Sequence, residues 1–376
     1  MRSPNYKILF QRAKEETSQL EQEIAQLKQK TSLLEFLQAC HELLSSSLQV
    51  GCLSISTQNA IQPPRGKHCP ANIVRWEDCA MLQQEIFDSV CNHLNATQAQ
   101  PSRLFLTPLN IQGVASLNTP LYSQWALEHY EQFAVQAHVS SIVSELCKIP
   151  AARQQFRLSG DILFDKDTSS LSLEEELGPL VPEPPEPSQY CIHQVGSRNT
   201  LFMSVGYKSP DELSVENLRV GLRPMKLWEE VGRRKIIPTD MSQKLKYNAE
   251  QLVGSALVQE YHVMIREGLE YSYLTTGVAL VLLHVPHDDP GTLMYFLCEP
   301  NIEMHNDPNY QKPKTAIARV VCLALMASIS FVRDHTWRKN AQAQLRVWAT
   351  SFSLVRSQIP DEELQQAPPD SEYTPF

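Results

Sequence analysis

Apolar residues recur in steps of three and four along the first part of the chain. Between residues 6 and 48 this seam passes through Phe10, Ala13, Thr17, Leu20, Ile24, Leu27, Thr31 and Leu34. Glutamate and lysine fill the positions between them, which is the pattern of a coiled-coil heptad. The seam therefore predicts one long helix that forms a coiled coil. The alternative is a helix that docks on its own domain.

Two amphipathic helices and an acidic joint follow. One-sided apolar patterns predict helices at residues 78–94 and 121–147, and residues 156–164 predict a short pair of strands. The joint at 163–187 holds five prolines, at 179, 182, 184, 185 and 187. Such a composition does not pack a core, so a disordered acidic and proline-rich insertion is predicted at about 165–187.

After the joint, the apolar period changes from near 3.6 to two. Residues 190–195 and 200–208 predict the strands of a hairpin that turns at 196–199. The next elements are predicted from apolar runs and stop signals: a helix at 240–268, strands at 277–285 and 292–298, and helices at 315–332 and 336–359. The sequence therefore predicts an α/β (α+β) fold with a mixed sheet flanked by helices.

These elements divide the chain into three parts. Residues 1–48 form the predicted N-terminal coil, residues 49–359 the α/β domain with its insertion, and residues 360–376 a disordered acidic tail.

The charge of the chain is unevenly distributed. The 376 residues carry a net charge of −9, which excludes a general polyanion binder. However, residues 161–186 hold eight acids against one lysine, and residues 219–246 hold eight basic residues against three acids. The candidate nucleic-acid contacts in the basic segment are Arg219, Arg223, Arg233, Arg234 and Lys235. The alternative is a solvated face that pairs with the acidic joint.

Several classes of location and function are disfavoured. Nine scattered cysteines without a CxxC pair predict reduced thiols, and the polar first thirty residues predict no secretory signal. The apolar run 316–332 contains Arg319 and predicts a buried core helix rather than a membrane span. We therefore expect an intracellular protein, cytoplasmic or nuclear, that does not bind membranes.

Common catalytic motifs are missing from the sequence. No GxGxxG, GxxxxGK[ST], GxSxG or HExxH is present, so kinase and P-loop chemistry lack their phosphate-binding loops. His284 and His287 flank a Pro-Gly turn near two aspartates, but turn formation explains this spacing better than a metal.

Four long stretches carry a resemblance to a known group of fungal proteins. They are SVENLRVGLRPMKLWEEV (214–231), IPTDMSQKLKYNAEQL (237–252), EYHVMIREGLEYSYLTTGVALVLL (260–283) and TLMYFLCEPN (292–301). The chain resembles a fungal domain that often precedes a fungal-type protein kinase domain, here without the kinase. The resemblance implies a PD-(D/E)xK nuclease-like core, which needs an Asp and a Glu for Mg²⁺ and a Lys two residues after the Glu.

Aligned on this pattern, the chain keeps Lys208 and lacks the acids. The strand acids would fall on Ser188 and Gly206, and a helix carboxylate would fall on Gln136. Without two carboxylates a Mg²⁺ ion has no anionic cage, so the resemblance implies a catalytically degenerate member with no metal and no cofactor. An ordinary lysine at a strand end is the alternative for Lys208.

Three functional hypotheses follow. The first is a non-enzymatic interaction module that binds a protein partner or nucleic acid and self-associates through its coil. The second is a residual Mg²⁺-dependent nuclease in which Asp161, Glu212 or Glu216 has taken over the metal role. The third is a regulatory partner of a kinase.

Overall fold

A computed structural model describes residues 6–51, 61, 64–166, 188–195, 198–233, 237–331, 333–349 and 368. Nearly all of the predicted acidic insertion and of the predicted tail falls outside these residues, as do Arg234 and Lys235.

A mixed seven-stranded sheet is the centre of the fold. Its strands are β2 (Asn72–Arg75), β3 (Ile162–Asp165), β4 (Ser188–Val195), β5 (Arg198–Tyr207), β6 (Tyr271–Thr275), β7 (Leu280–His284) and β8 (Thr292–Cys298). Their order is β2-β8-β7-β6-β5-β4-β3, and the pairs β2–β8 and β5–β6 are parallel. Two short strands, β1 (His68–Cys69) and β9 (Arg346–Val347), form a separate antiparallel pair.

Twelve α-helices and three π-helical turns occur among the described residues. The helices are α1 (Tyr6–Leu27), α2 (Leu33–Cys40), α3 (Cys79–His93), α4 (Pro108–Ala115), α5 (Gln124–Tyr130), α6 (Ala137–Cys147), α7 (Pro150–Gln155), α8 (Val215–Gly221), α9 (Met241–Glu267), α10 (Pro300–Asn306), α11 (Ala316–Ile329) and α12 (His335–Gln344). The π-helical turns are π1 (His41–Ser45), π2 (Glu131–Gln136) and π3 (Trp228–Gly232).

Helices cover both faces of the sheet. One large apolar cluster joins the sheet to α2, α3, α6 and α11, and a second joins it to α8 and α9 on the other face. The predicted mixed sheet flanked by helices is therefore confirmed. Burial of apolar surface on both faces explains why the central strands are almost uniformly apolar.

The predicted N-terminal helix is divided in two. α1 ends at Leu27, and α2 starts after the N-cap Ser32, whose capping box with Glu35 begins a new helix. Between them, Thr31 forms a β-bridge with Phe105, a contact distant in sequence. The expectation of one helix over 6–48 was therefore wrong, and residues from Leu33 onward pack into the core.

The predictions that rested on strong stop signals are confirmed. α9 begins after Asp240, whose side chain accepts a hydrogen bond from the Gln243 backbone, and it ends at Gly268 with φ 73°. The β4–β5 hairpin is present where the period of two predicted strands, and β8 is present where a strand was predicted at 292–298. β7 occupies the centre of the predicted apolar run 277–285.

Two other expectations were wrong. Residues 156–164 contribute only the start of one strand, β3, because α7 is followed by a turn through Arg157. The last predicted helix stops at Gln344, where the chain extends to pair β9 with β1.

The apolar run near residue 320 is a buried helix, as predicted. α11 is enclosed by the core, and Arg319 within it donates to Gln83 and Glu303. Across the described parts of the chain, no helix has the length and apolar character needed to cross a bilayer.

Candidate functional site

Lys208 follows β5 directly and lies on the side of the sheet that α9 covers. Ser204 and Gly206 precede it by four and two residues, so the alternation of a strand places all three on one face. Ser188 is the register partner of Gly206 in the β4–β5 hairpin. Three of the four positions aligned with the nuclease-like pattern therefore meet at one end of this hairpin.

A buried glutamate from α9 occupies this end of the hairpin. Glu260 is only 2% exposed and accepts hydrogen bonds from Ser204 Oγ at 2.5 Å and Ser272 Oγ at 2.6 Å. A Cβ added to Gly206 would lie 2.7 Å from Glu260 Oε2. The Glu260 carboxylate thus fills the space where a side chain at position 206 would stand.

Lys208 and the acids around it are electrostatically coupled. Burial lowers the pKa of Lys208, and Glu212 and Glu260 oppose that change. Burial raises the pKa of Glu260, which the two serine hydrogen bonds and Lys208 counteract. Burial also raises the pKa of Glu212, against the opposing effects of Lys208 and of the Ser209 backbone N–H. Lys208 is therefore a buried cation that faces two acids.

Gln136 lies on the opposite face of the sheet. Its Nε2 donates to Gln189 Oε1 at 2.9 Å and to the Tyr207 hydroxyl at 2.5 Å. Because Tyr207 lies between Gly206 and Lys208 in the strand, its side chain points away from theirs. Gln136 does not join the other aligned positions, and the helix carboxylate on the Lys208 side is Glu260.

A second buried acid lies on that opposite face. Glu131 in π2 is 1% exposed and accepts a hydrogen bond from Thr275 Oγ1 at 2.7 Å, while its Oε2 has no hydrogen-bond partner. Burial raises the pKa of Glu131 to about 7, and the Thr275 bond counteracts this only in part. Sequence patterns gave no sign of this group.

The proposed substitutes for the lost acids are dispersed. Asp161 precedes β3, whose Ile162 pairs with His193 toward the end of the hairpin that is remote from Lys208. Glu216 lies exposed on α8, and only Glu212 lies beside Lys208. Within the described residues, no three His, Cys, Asp or Glu side chains are grouped to hold a metal.

Two arginines of the basic segment form ion pairs with acids of the described residues. Arg219 forms a two-point ion pair with Glu299, and Arg223 donates to Glu250 at 2.9 Å and Glu230 at 2.8 Å. These partners differ from the acidic joint that the sequence favoured. Arg233 is exposed, and its guanidinium lies 5.4 Å from the Trp228 ring centre.

Glu260 was the functional candidate that sequence reasoning missed. It lies three residues after Leu257 and four before Met264, inside the buried apolar stripe of α9. A charged residue within such a stripe is rare unless it is paired, and that signal was available in the sequence.

Comparisons with known proteins bear on this part of the chain. Residues 187–347 match the family model of the Spore killer 2 N-terminal domain. That range holds the β4–β5 hairpin, Lys208, Glu260 and the basic segment.

One curated relative aligns along almost the whole chain. Meiotic driver SPOK2 of Podospora anserina is 26% identical over 403 aligned positions, which cover 94% of this chain and 51% of SPOK2. The chain thus spans about half the length of this relative. The likeness indicates a fungal protein, as expected.

These matches correct the family resemblance. The expectation of a fungal domain upstream of kinases was wrong, because the family model that matches describes the N-terminal domain of a spore killer. No solved structure matches the chain. The nuclease-like core consequently stays a prediction.

Proposed function

We propose that the chain is a self-associating module without hydrolytic activity, in which two copies pair through α1. One observation carries the proposal: the apolar stripe of α1 is exposed. Phe10, Leu20, Ile24 and Leu27 are 72%, 57%, 49% and 42% exposed. A helix with such a stripe is stabilised when another helix covers it.

The spacing of the stripe favours a second copy as its partner. The seam keeps its three-and-four spacing from Phe10 to Leu27, so two identical helices present matching knobs and holes. The side-chain hydrogen bonds within α1 join Gln11 to Glu15 and Thr17 to Ala13. Among the described residues, the side-chain hydrogen bonds that join this part of the chain to the α/β domain begin after the helix, at Lys30 and Thr31.

The surroundings of Lys208 support the absence of hydrolysis. Glu260 is engaged by two serine hydroxyl groups and faces a lysine, which leaves a divalent cation little negative charge to bind. The likeness to SPOK2 supports a role in meiotic drive. The form of the chain that acts in this role would be the pair of copies joined through α1.

Light scattering during size-exclusion chromatography tests the pairing. We expect the wild-type chain to have twice the mass of one chain, and Leu20→Glu/Ile24→Glu to have the mass of one. The matched control Gln22→Glu/Gln26→Glu adds the same charge on exposed positions outside the stripe and should keep the wild-type mass. A wild-type monomer, or equal masses for the two variants, would remove this proposal.

A second candidate function rests on Gly206 and Glu260. The Glu260 carboxylate occupies the space of a side chain at position 206, two residues before Lys208. A residual Mg²⁺-dependent nuclease would use this carboxylate as the acid that has moved from strand to helix, with Glu212 as the further acid beside Lys208, and it would require Mg²⁺ to displace the two serine hydroxyl groups from Glu260.

A cleavage assay separates the two candidates. Purified wild-type chain is incubated with supercoiled plasmid and 10 mM Mg²⁺ or Mn²⁺, beside Glu260→Gln and Lys208→Ala. Metal-dependent nicking that both variants lose supports the second candidate and contradicts the first. Equal background nicking by all three proteins supports the first.

A further inference from the structure

An open cleft of about 430 Å³ lies between α7 and the start of β3. It is lined by Pro150, Arg153, Gln154, Arg157, Leu158 and Ser159. Its volume falls in the range of small-molecule sites, and two of its six lining residues are arginines. The cleft lies outside the basic segment that the sequence singled out.

Both arginines are held in place by backbone carbonyl groups. Arg153 Nε donates to the Leu158 carbonyl at 3.3 Å, and Arg157 Nη1 donates to the Ile329 carbonyl at 2.8 Å. Each guanidinium has five N–H donors, so one anchored N–H leaves the others for a ligand. Anchoring lowers the conformational entropy that a ligand must remove.

These arginines differ from those of the basic segment in their electrostatic surroundings. Within the described residues, neither Arg153 nor Arg157 forms an ion pair, whereas Arg219 and Arg223 each do. The acid nearest along the chain is Asp161, whose charge acts on Cys147 together with that of Arg153. Two exposed guanidinium groups that form no ion pair among the described residues attract an anion.

The backbone at Arg157 is unusual for its residue type. Its φ is 51°, in the left-handed region that favours glycine. Residues held in this region often lie at functional sites, where the surrounding structure fixes them. Here the turn directs the Arg157 side chain to the Ile329 carbonyl and over the Phe331 ring.

An exposed aromatic ring adjoins the arginines. The Arg157 guanidinium lies 4.4 Å from the centre of the Phe331 ring, and Phe331 is 75% exposed. One ring face therefore contacts the cation, and most of the Phe331 side chain is open to solvent. Guanidinium groups for phosphates beside a ring for base stacking are the chemistry that binds single-stranded nucleic acid.

We propose that Arg153, Arg157 and Phe331 form a binding site for single-stranded nucleic acid. The arginines bind successive backbone phosphates, and Phe331 stacks on a base. The site is separate from Lys208, because the cleft adjoins the end of the hairpin where Ile162, His193 and Thr200 are paired. Lys208 lies past the other end of β5, eight residues after Thr200, which is roughly 26 Å at about 3.3 Å per residue. This proposal goes beyond self-association and does not depend on it.

Fluorescence anisotropy with the full chain tests the site. The probe is a labelled 20-nucleotide oligo-dT, titrated between 50 and 200 mM NaCl. We expect Arg153→Gln/Arg157→Gly to weaken binding at least tenfold and to reduce the salt slope by about 1.4, at ~0.7 for each lost phosphate contact. Glycine suits the left-handed backbone at position 157, so this variant keeps the turn.

The same titration includes a control variant and the results that would contradict the proposal. Arg233→Gln removes an exposed arginine of the basic segment and should stay within twofold of wild type. Phe331→Ala should weaken binding and leave the salt slope unchanged. The proposal fails if the cleft variant binds as wild type does, if Arg233→Gln causes the larger loss, or if a phosphorylated peptide binds where oligo-dT does not.

Discussion

The carboxylate of Glu260 fills the space above Gly206. A Cβ at position 206 would lie 2.7 Å from Glu260 Oε2, closer than real Cβ contacts come. A side chain at this position would therefore displace the carboxylate of a residue 54 positions later in the chain. The same contact brings an acid to the face of the sheet that carries Lys208.

Gly206→Ala is expected to destabilise the chain. The added methyl group must displace a carboxylate that Ser204 and Ser272 hold in place, so we expect the free energy of unfolding to fall by about 1–3 kcal/mol. Urea denaturation measures this change in the free energy of unfolding. Gly113→Ala is the matched control, because nothing lies within 4 Å of its added Cβ in α4, and it should stabilise by ~0.5–1 kcal/mol.

A double-mutant cycle identifies the contact. In the background of Glu260→Ala, the loss caused by Gly206→Ala should disappear, because the clashing oxygen is gone. An equal loss in both backgrounds would show that the Glu260 carboxylate does not lie above Gly206.

The sequence predicted the elements that local signals define. α9 has a capping aspartate at one end and Gly268 at the other, and the β4–β5 hairpin shows the alternation of strands. These signals act over a few residues, so they are readable without a structure. The break between α1 and α2 was missed because a bridge between Thr31 and Phe105 helps to place it.

The candidate site was predictable only in part. Two-residue spacing correctly placed Gly206 and Lys208 on one face. Gln136 was aligned with them although π2 places it on the other face, and a π-helical turn changes side-chain directions in a way the 3.6 period does not describe. Glu260 was missed because its role depends on a contact between a helix and a strand.

Glu131 is expected to make stability fall as pH rises. Burial raises the pKa of Glu131 from 4.5 to about 7, so between these values the folded chain binds more protons than the unfolded chain. The stability contribution of the protonated acid is complete below pH 4.5 and is lost as pH rises toward 7. Glu131→Gln should abolish this part of the dependence and stabilise the chain at pH 8 by up to about 3 kcal/mol.

Urea unfolding at pH 5 and pH 8 measures this effect. The difference in unfolding free energy between Glu131→Gln and wild type isolates Glu131 from other titrating groups. If this difference is the same at both pH values, the pKa of Glu131 is not raised in the folded chain.

Arg223 is expected to act as a structural cation. It contacts Glu250, whose side chain is only 4% exposed, so Arg223→Ala leaves that carboxylate without this guanidinium. We expect the free energy of unfolding to fall by about 2–3 kcal/mol. This is less than the loss on breaking a fully buried ion pair, because Arg223 is partly exposed. Lys226→Ala, at a lysine 69% exposed, should change stability by less than ~0.5 kcal/mol. Chemical denaturation measures the free energy of unfolding of both variants. Equal losses in the two variants would argue against a structural role for Arg223.

The central claim is that α1 joins two copies of the chain. Sedimentation equilibrium of the full chain and of the chain without residues 1–28 tests it most directly, because the deletion keeps Lys30 and Thr31 with their contacts to the body. We predict a dimer mass for the full chain, and a monomer mass with an unchanged unfolding transition for the shortened chain. The same association state for both proteins would contradict the account.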